Sequence, residues 1–185
     1  MKRTLTFSLA VALVLVASVL FAATTEYFSR LSCLVPTDWR YSESSGGSVS
    51  LYSNYNSSER MWVDVGKIGS GELLEDIARD YYSQVQGRDF QRISDYYSFT
   101  YDGNGYTWYV RVADNRTLSG LTSTTYCVFS YTSATDPRDA VDVFDSITVR
   151  GDWMNSGGGG SSGGCNTGLF SLLGLLAGLA LLRKK

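Results

Sequence analysis

The 185-residue chain contains no histidine. It therefore cannot form a Ser-His-Asp triad, a Cys-His nucleophile pair or a histidine metal site, and it lacks the usual general base near neutral pH. Carboxylate pairs of the glycosidase type and calcium sites built from Asp and Glu remain open. No such pair stands out along the sequence. We predict a protein that is not an enzyme and needs no metal or cofactor, with a carboxylate-based hydrolase as the catalytic alternative.

Basic residues are scarce between the two ends of the chain. Five of the 16 lysines and arginines lie at positions 1–3 and 183–185, and Lys67 is the only lysine in between. The middle of the chain therefore carries 18 acidic residues against eleven basic ones, a net charge of about −7. A domain this acidic is repelled by phosphate backbones, so nucleic acid is not an expected partner.

The first 23 residues have the three parts of a secretory signal peptide. Lys2 and Arg3 form the charged start, Leu9 to Phe21 the apolar run, and Ala22 and Ala23 the small residues at the expected cleavage site. We therefore expect the export machinery to carry the chain across the inner membrane. An uncleaved N-terminal membrane anchor is the alternative.

The C-terminal end has a second three-part pattern. We predict a Gly/Ser-rich linker over 153–164 and a hydrophobic helix within the tail 165–185. The uncharged run 168–182 would span about 22 Å as a helix, less than the roughly 30 Å of a hydrocarbon core. The basic residues 183–185 favour the cytoplasmic side of the membrane, which agrees with an exported domain.

The motif around Cys165 resembles the bacterial Synerg-CTERM sorting signal, which is similar in layout to GlyGly-CTERM. The matching residues are Gly163, Gly164, Cys165, Asn166 and Gly168. The resemblance implies that a membrane-embedded sorting protease recognises the tail and that Cys165 is the point of processing or modification. The protein would then stay at the cell envelope or surface, membrane-anchored or released. A plain C-terminal anchor with an incidental thiol is the alternative.

We predict that residues 24–152 form one α+β domain, in which two helices pack on an antiparallel sheet. The predicted order of elements along the chain is β-β-β-α-β-β-β-α. The first helix has Ser70 as its N-cap, Gly87 at its end and an apolar stripe of Leu73, Leu74, Ile77, Ala78, Tyr81, Tyr82 and Val85. The second begins with Asp136 and Pro137 and buries Ala140, Val141, Phe144 and Ile147.

This domain resembles the PsbP-like α/β sandwich family. The matching cues are Val35, Pro36 and Trp39 near the start, and Phe144, Ser146 and Ile147 at the close. The resemblance implies an accessory or binding protein, and it assigns no functional residue in this chain. The sequence thus predicts an exported cell-envelope protein and assigns no molecular activity to the domain. The alternative function is an accessory protein that binds a peptide, a lipid or a cell-wall fragment on an aromatic surface.

Several further patterns concern turns and candidate site residues. The stretch from Asp102 to Gly105 predicts a hairpin turn rather than a calcium loop, and Trp108, Val110 and Val112 share one strand face. Cys33 and Cys127 either form a disulfide, which export favours, or remain buried thiols. Aromatic residues on strands usually pack in the core, so no ligand-binding residue is assigned. The aromatic residues expected to face solvent, and so the candidates for a surface role, are Tyr52, Tyr55 and Trp62. The acids Asp139, Asp142 and Asp145 are expected on a solvated helix face.

Overall fold

The computed structural model describes residues 23–155. Ala22, the sorting motif 163–168 and the hydrophobic tail lie outside the described residues. Within 23–155, no helix has the length and apolarity needed to span a membrane.

The described chain forms ten strands and three helices. In chain order these are β1 (Thr24–Tyr27), β2 (Leu31–Val35), β3 (Trp39–Glu43), β4 (Val49–Ser53), β5 (Arg60–Lys67), α1 (Leu74–Gln84), β6 (Arg88–Ile93), β7 (Tyr96–Gly103), β8 (Tyr106–Asp114), β9 (Thr125–Thr132), α2 (Pro137–Asp145), β10 (Thr148–Val149) and α3 (Gly151–Asn155).

The strands form two antiparallel sheets. Seven strands lie in the order β3-β4-β5-β9-β8-β7-β6, and three lie in the order β1-β2-β10. One core fills the space between the two sheets and includes α2 residues, whereas a second core lies between the large sheet and α1. The predicted α+β class is confirmed.

The structure contains more strands and helices than the sequence pattern predicted. β1, β3, β10 and α3 were not expected, and the segment before the Asp102 hairpin contains two strands instead of one. Asp38 and Ser94 have positive φ values of 67° and 52°, and each lies in a turn that contains no glycine. These two turns create the additional strand β3 and the boundary between β6 and β7.

The ends of α1 differ from the prediction. The helix starts after Leu73, which is its N-cap in place of Ser70, and the side chain of Asp76 accepts a hydrogen bond from the Leu73 N–H. Leu73 is consequently 64% exposed instead of buried. At the other end Val85 is the C-cap, and Gly87 donates its N–H to the carbonyl of Tyr82.

The α2 helix begins as predicted. The Asp136 carboxylate accepts a hydrogen bond from the Arg138 N–H at 2.8 Å, and Pro137 occupies the first turn. Its buried face contains Val143 in place of the predicted Val141, which is 37% exposed. The reason is that Val143 follows Ala140 by three residues and so stays on the core side of the helix.

The three acids of α2 lie on its outer side. Asp142 and Asp145 are exposed and Asp139 is half-buried, in agreement with the predicted solvated face.

The domain continues past the predicted boundary at residue 152. Trp153 and Met154 of α3 pack against the first core, although the sequence placed Trp153 at the start of the linker. The centre of the Trp153 ring is 5.4 Å from the guanidinium carbon of Arg30 and 5.1 Å from the ammonium nitrogen of Lys67. These contacts attach the last described helix to the domain.

Candidate functional site

The α1 side of the large sheet carries two neighbouring rows of side chains across its central strands. Strand register pairs Ser50 with Trp62, Trp62 with Ser130, Ser130 with Val110, and Val110 with Phe99. The adjacent row pairs Thr132 with Trp108 and Trp108 with Tyr101. Because side chains alternate between the faces of a strand, these rows form one continuous aromatic floor.

A cavity of about 210 Å³ lies above this floor. The C-terminal end of α1 forms one wall with Tyr81, Gln84 and Val85, and the next residue, Gln86, extends it. The β7–β8 hairpin forms the opposite wall with Asp102, Gly103 and Asn104. The lining is mostly aromatic and aliphatic, with amide groups among the wall residues, which is the usual composition of a small-molecule site.

The hairpin wall is held in place by its own contacts. Asn104 and Gly105 have positive φ values of 56° and 81°, as a tight two-residue hairpin turn requires, so the predicted turn is confirmed. The Trp108 indole donates its Nε1–H to the Gly103 carbonyl at 3.1 Å and stacks on Tyr101 with 6.0 Å between ring centres. No group of three potential metal ligands occurs within residues 23–155.

Trp62 is a buried member of the floor. The sequence predicted that its side chain faces solvent, which is wrong, because the residue is only 5% exposed. Its neighbours in the second core come from α1, β7, β8 and β9. These contacts are distant in sequence, so they cannot be inferred from the alternation of apolar and polar residues along β5. The indole Nε1 of Trp62 is buried and has no hydrogen-bond partner within the described part of the chain.

The other two aromatic residues singled out from the sequence, Tyr52 and Tyr55, lie outside the cavity lining. Tyr52 is half-buried, and the Arg60 guanidinium lies 5.8 Å from its ring centre and 5.2 Å from that of Tyr106. Arg60 therefore forms a rim beside the floor, on the same strand face as Trp62. Tyr55 is 83% exposed in the β4–β5 loop and does not line the cavity.

A buried carboxylate follows Trp62 on the same face of β5. Asp64 is 4% exposed, and burial raises the pKa of its carboxyl group to about 6 although Arg30 lowers it. The Arg30 Nη1 lies 4.0 Å from Asp64 Oδ1, which is too far for a close ion pair. Tyr81, which lines the cavity, interacts with Asp64, and burial raises the pKa of its hydroxyl.

Arg30 reaches Asp64 past Gly47. A Cβ at Gly47 would lie 2.7 Å from Arg30 Cδ, and the φ of Gly47 is 82°. Glycine is therefore required there both for the turn and for the passage of the arginine side chain.

Cys33 on β2 and Cys127 on β9 are buried in the first core as free thiols. Burial raises the pKa of Cys33 to about 12 and raises that of Cys127 as well. The two sulfurs lie close enough to interact electrostatically. The structure thus shows the buried-thiol alternative of the two that the sequence left open.

Comparison with known proteins gives fold-level similarity alone. No family model matches the chain, and no curated protein matches it. A crystal structure of a protein from Bacteroides thetaiotaomicron is similar over 65% of this chain, with 17% identity and a TM-score of 0.44. This chain covers 45% of that protein's length. The solution structure of cyanobacterial PsbP (CyanoP) from Synechocystis is similar over 65% of this chain and 86% of its own, with 15% identity and a TM-score of 0.43.

Proposed function

We propose that this chain is an exported binding protein whose domain holds a small, largely apolar ligand in the cavity between α1 and the β7–β8 hairpin. The observation that carries the proposal is the cavity itself, which has an aromatic floor. We further propose that the domain has no catalytic activity of its own, in line with a chain that contains no histidine.

The size of the cavity limits the ligand. A volume of about 210 Å³ compares with the roughly 150 Å³ engineered cavity that accepts benzene. A single aromatic ring with one or two substituents fits this space, whereas a drug-sized molecule needs at least about 300 Å³. The flat side chains of the floor suit a flat ligand.

The sheet topology favours a free small molecule over a peptide. Peptides commonly bind a sheet by pairing with the backbone of an edge strand. The strands that supply the floor are β5, β9, β8 and β7, and each already has a neighbour on both sides. The two edges of the large sheet, β3 and β6, contribute no residue to the cavity lining. The backbone of these four strands is therefore not free to pair with a peptide.

We also propose that the protein acts at the cell envelope. Support comes from the signal-like residues 1–23 and from the tail, in which a Gly-Gly-Cys motif precedes an apolar run and a basic end. The proposed partners are the export machinery, the membrane and a membrane-embedded sorting protease. Mass spectrometry of protein from the native host tests this proposal. A mature chain that still ends in Lys185 would contradict removal of the tail, and unchanged localisation of Cys165→Ala would contradict a role for the thiol.

Ligand binding is tested by filling the cavity. Toluene is the probe, and its binding to the full chain in phospholipid nanodiscs is measured by saturation-transfer NMR after subtraction of signals from empty nanodiscs. Val85 lines the cavity and is half-buried, so Val85→Trp places a large ring in the space that the probe needs. We expect at least about a tenfold loss of affinity, the cost of losing a well-packed apolar contact.

The matched control is Val141→Trp. Val141 is on the exposed side of α2 and does not line the cavity, so this variant should bind toluene like the wild type. Absence of toluene binding to the wild type, or equal binding by Val85→Trp, would show that the cavity is not a ligand site.

A further inference from the structure

The α1 helix ends in a hydrogen-bonding pattern that requires one residue in the left-handed conformation. Gly87 donates its N–H to the Tyr82 carbonyl at 2.8 Å, and Gln86 donates its N–H to the Ser83 carbonyl at 3.3 Å. These two bonds form the Schellman motif, in which the residue after the C-cap has a positive φ and is usually glycine. Here that residue is Gln86, with a φ of 54°, and the glycine comes one position later.

This backbone conformation is unfavourable for glutamine. A residue with a β-carbon is strained in the left-handed region, and asparagine and aspartate tolerate that region better than glutamine does. Glycine at position 86 would end the helix with less strain. The fold itself therefore does not need the Gln86 side chain, and strain of this kind is often found where a residue contacts a ligand.

Amide side chains lie on both walls of the cavity. Gln86 lines the cavity, is exposed, and has a side-chain amide with no hydrogen-bond partner within residues 23–155. Asn104 on the opposite wall shares these properties and has a positive φ of 56°. Gln84, the last residue of α1, adds a third amide on the helix side. Because no contact within the domain holds these amides elsewhere, they are free to turn towards a ligand between the walls.

We propose that Gln86 and Asn104 are the specificity-determining residues of the cavity, and that its ligand is an uncharged aromatic ring with a carboxamide group, of which benzamide is the simplest example. This inference rests on the proposed binding function and adds the chemical class of the ligand. The ring lies on the aromatic floor, and the carboxamide lies between the two walls. A carboxamide donates through its NH₂ group and accepts through its carbonyl, so it can pair with both wall amides at once.

The charges around the cavity favour this neutral group over a carboxylate or an amine. Asp102 is the only charged residue of the cavity lining within the described part of the chain. It forms an ion pair with Arg88 at 2.7 Å and accepts a hydrogen bond from Thr107. A ligand carboxylate would therefore meet no cation in the lining, and a ligand ammonium group would have to compete with Arg88. The net charge of about −7 in the middle of the chain also opposes an anion.

The test compares benzamide with toluene in the wild type, Gln86→Gly and Asn104→Gly, with the full chain in phospholipid nanodiscs and dissociation constants from NMR titration. Glycine removes the amide and adopts a positive φ without strain, so both turns should be retained. The ratio of the two dissociation constants within each protein cancels differences in partition into lipid. We expect each variant to shift this ratio about fivefold against benzamide, as the loss of one hydrogen bond predicts.

The matched control is Ser94→Gly. Ser94 is exposed, has a φ of 52° and does not line the cavity, so glycine there relieves the same kind of strain away from the ligand. Its ratio should equal that of the wild type. The urea midpoints of Ser94→Gly and Gln86→Gly should both rise by about 0.5 M. A Gln86→Gly variant that is less stable than the wild type would show that the Gln86 side chain serves the fold, which would overturn the argument from strain.

A second measurement uses the wild type alone. In ¹⁵N-labelled protein, benzamide should move the side-chain NH₂ signals of Gln86 and Asn104 but not those of Gln91, which is exposed on β6 and outside the cavity. The two proposals fail separately. If neither compound binds, the cavity is not a ligand site. If toluene binds but the ratio is unchanged in Gln86→Gly and Asn104→Gly, or the NH₂ signals do not respond to benzamide, the wall amides do not select the ligand.

Discussion

Protonation of Asp64 is expected to control part of the pH dependence of stability. The carboxyl group is 4% exposed, and burial raises its pKa from 3.8 to about 6. The groups that act on it are Arg30 from the β1–β2 loop and Tyr81 of α1, and both lower the pKa of the carboxyl group. The nearest cation is 4.0 Å away, so its attraction does not outweigh the loss of water.

The sign follows from proton binding. An acid whose pKa is higher in the folded state holds its proton there at pH values where the unfolded chain has released it. The free energy of unfolding therefore falls as the pH rises through the unfolded pKa of about 4, and the fall is complete about one unit above the folded pKa. A difference of about two pKa units corresponds to a loss of about 3 kcal/mol.

The assay is urea unfolding at a series of pH values from about 4 to about 7.5. Asp64→Asn cannot ionise, so we expect it to remove most of the loss of stability with rising pH and to be more stable than the wild type at neutral pH. Asp80→Asn is the control, because Asp80 lies on the exposed side of α1. If wild type and Asp64→Asn show the same pH slope, Asp64 is not the buried ionisable group that the structure indicates.

Two further predictions concern the close packing at Gly66 and the state of the two buried cysteines. Gly66→Ala should destabilise the fold by about 1–3 kcal/mol in urea unfolding, because the added Cβ would lie 2.3 Å from the Tyr126 ring. Gly151→Ala is the control and should have little effect, because no atom lies within 4 Å of the added Cβ. Cys33 and Cys127 should both be alkylated without prior reduction when exported protein is denatured, and should react slowly in the native state because both are buried. Alkylation that requires a reductant would instead demonstrate a disulfide.

Local sequence signals predicted the elements whose determinants are close together in the chain. The Asp102–Gly105 hairpin follows from its glycines, and the start of α2 follows from Asp136 and Pro137. The face shared by Trp108, Val110 and Val112 follows from alternation, and all three residues are buried in the structure. Each of these features depends on a few neighbouring residues, so an isolated sequence is sufficient to identify it.

The cavity depends on contacts that the sequence does not reveal. Trp62 and Ser130 are 68 positions apart along the chain yet are direct partners on adjacent strands. Alternation along β5 indicates that Trp62 and Asp64 share a face, but it does not show that α1 covers that face. The sequence analysis consequently placed Trp62 towards solvent, whereas both residues are buried in the structure. The predictions for Ala22, Ala23 and the sorting motif remain sequence predictions.

The position of the cavity follows from the difference in size between α1 and the sheet. An 11-residue helix is about 16 Å long, whereas seven strands extend about 29 Å across a sheet. The helix packs on β7 and β8, so part of the same sheet face remains beyond its last turn. If that part only faced water, polar side chains would suffice there, as on other half-exposed sheets. It instead carries Trp62, Trp108 and Tyr101 around a cavity, and this observation supports the proposed ligand site.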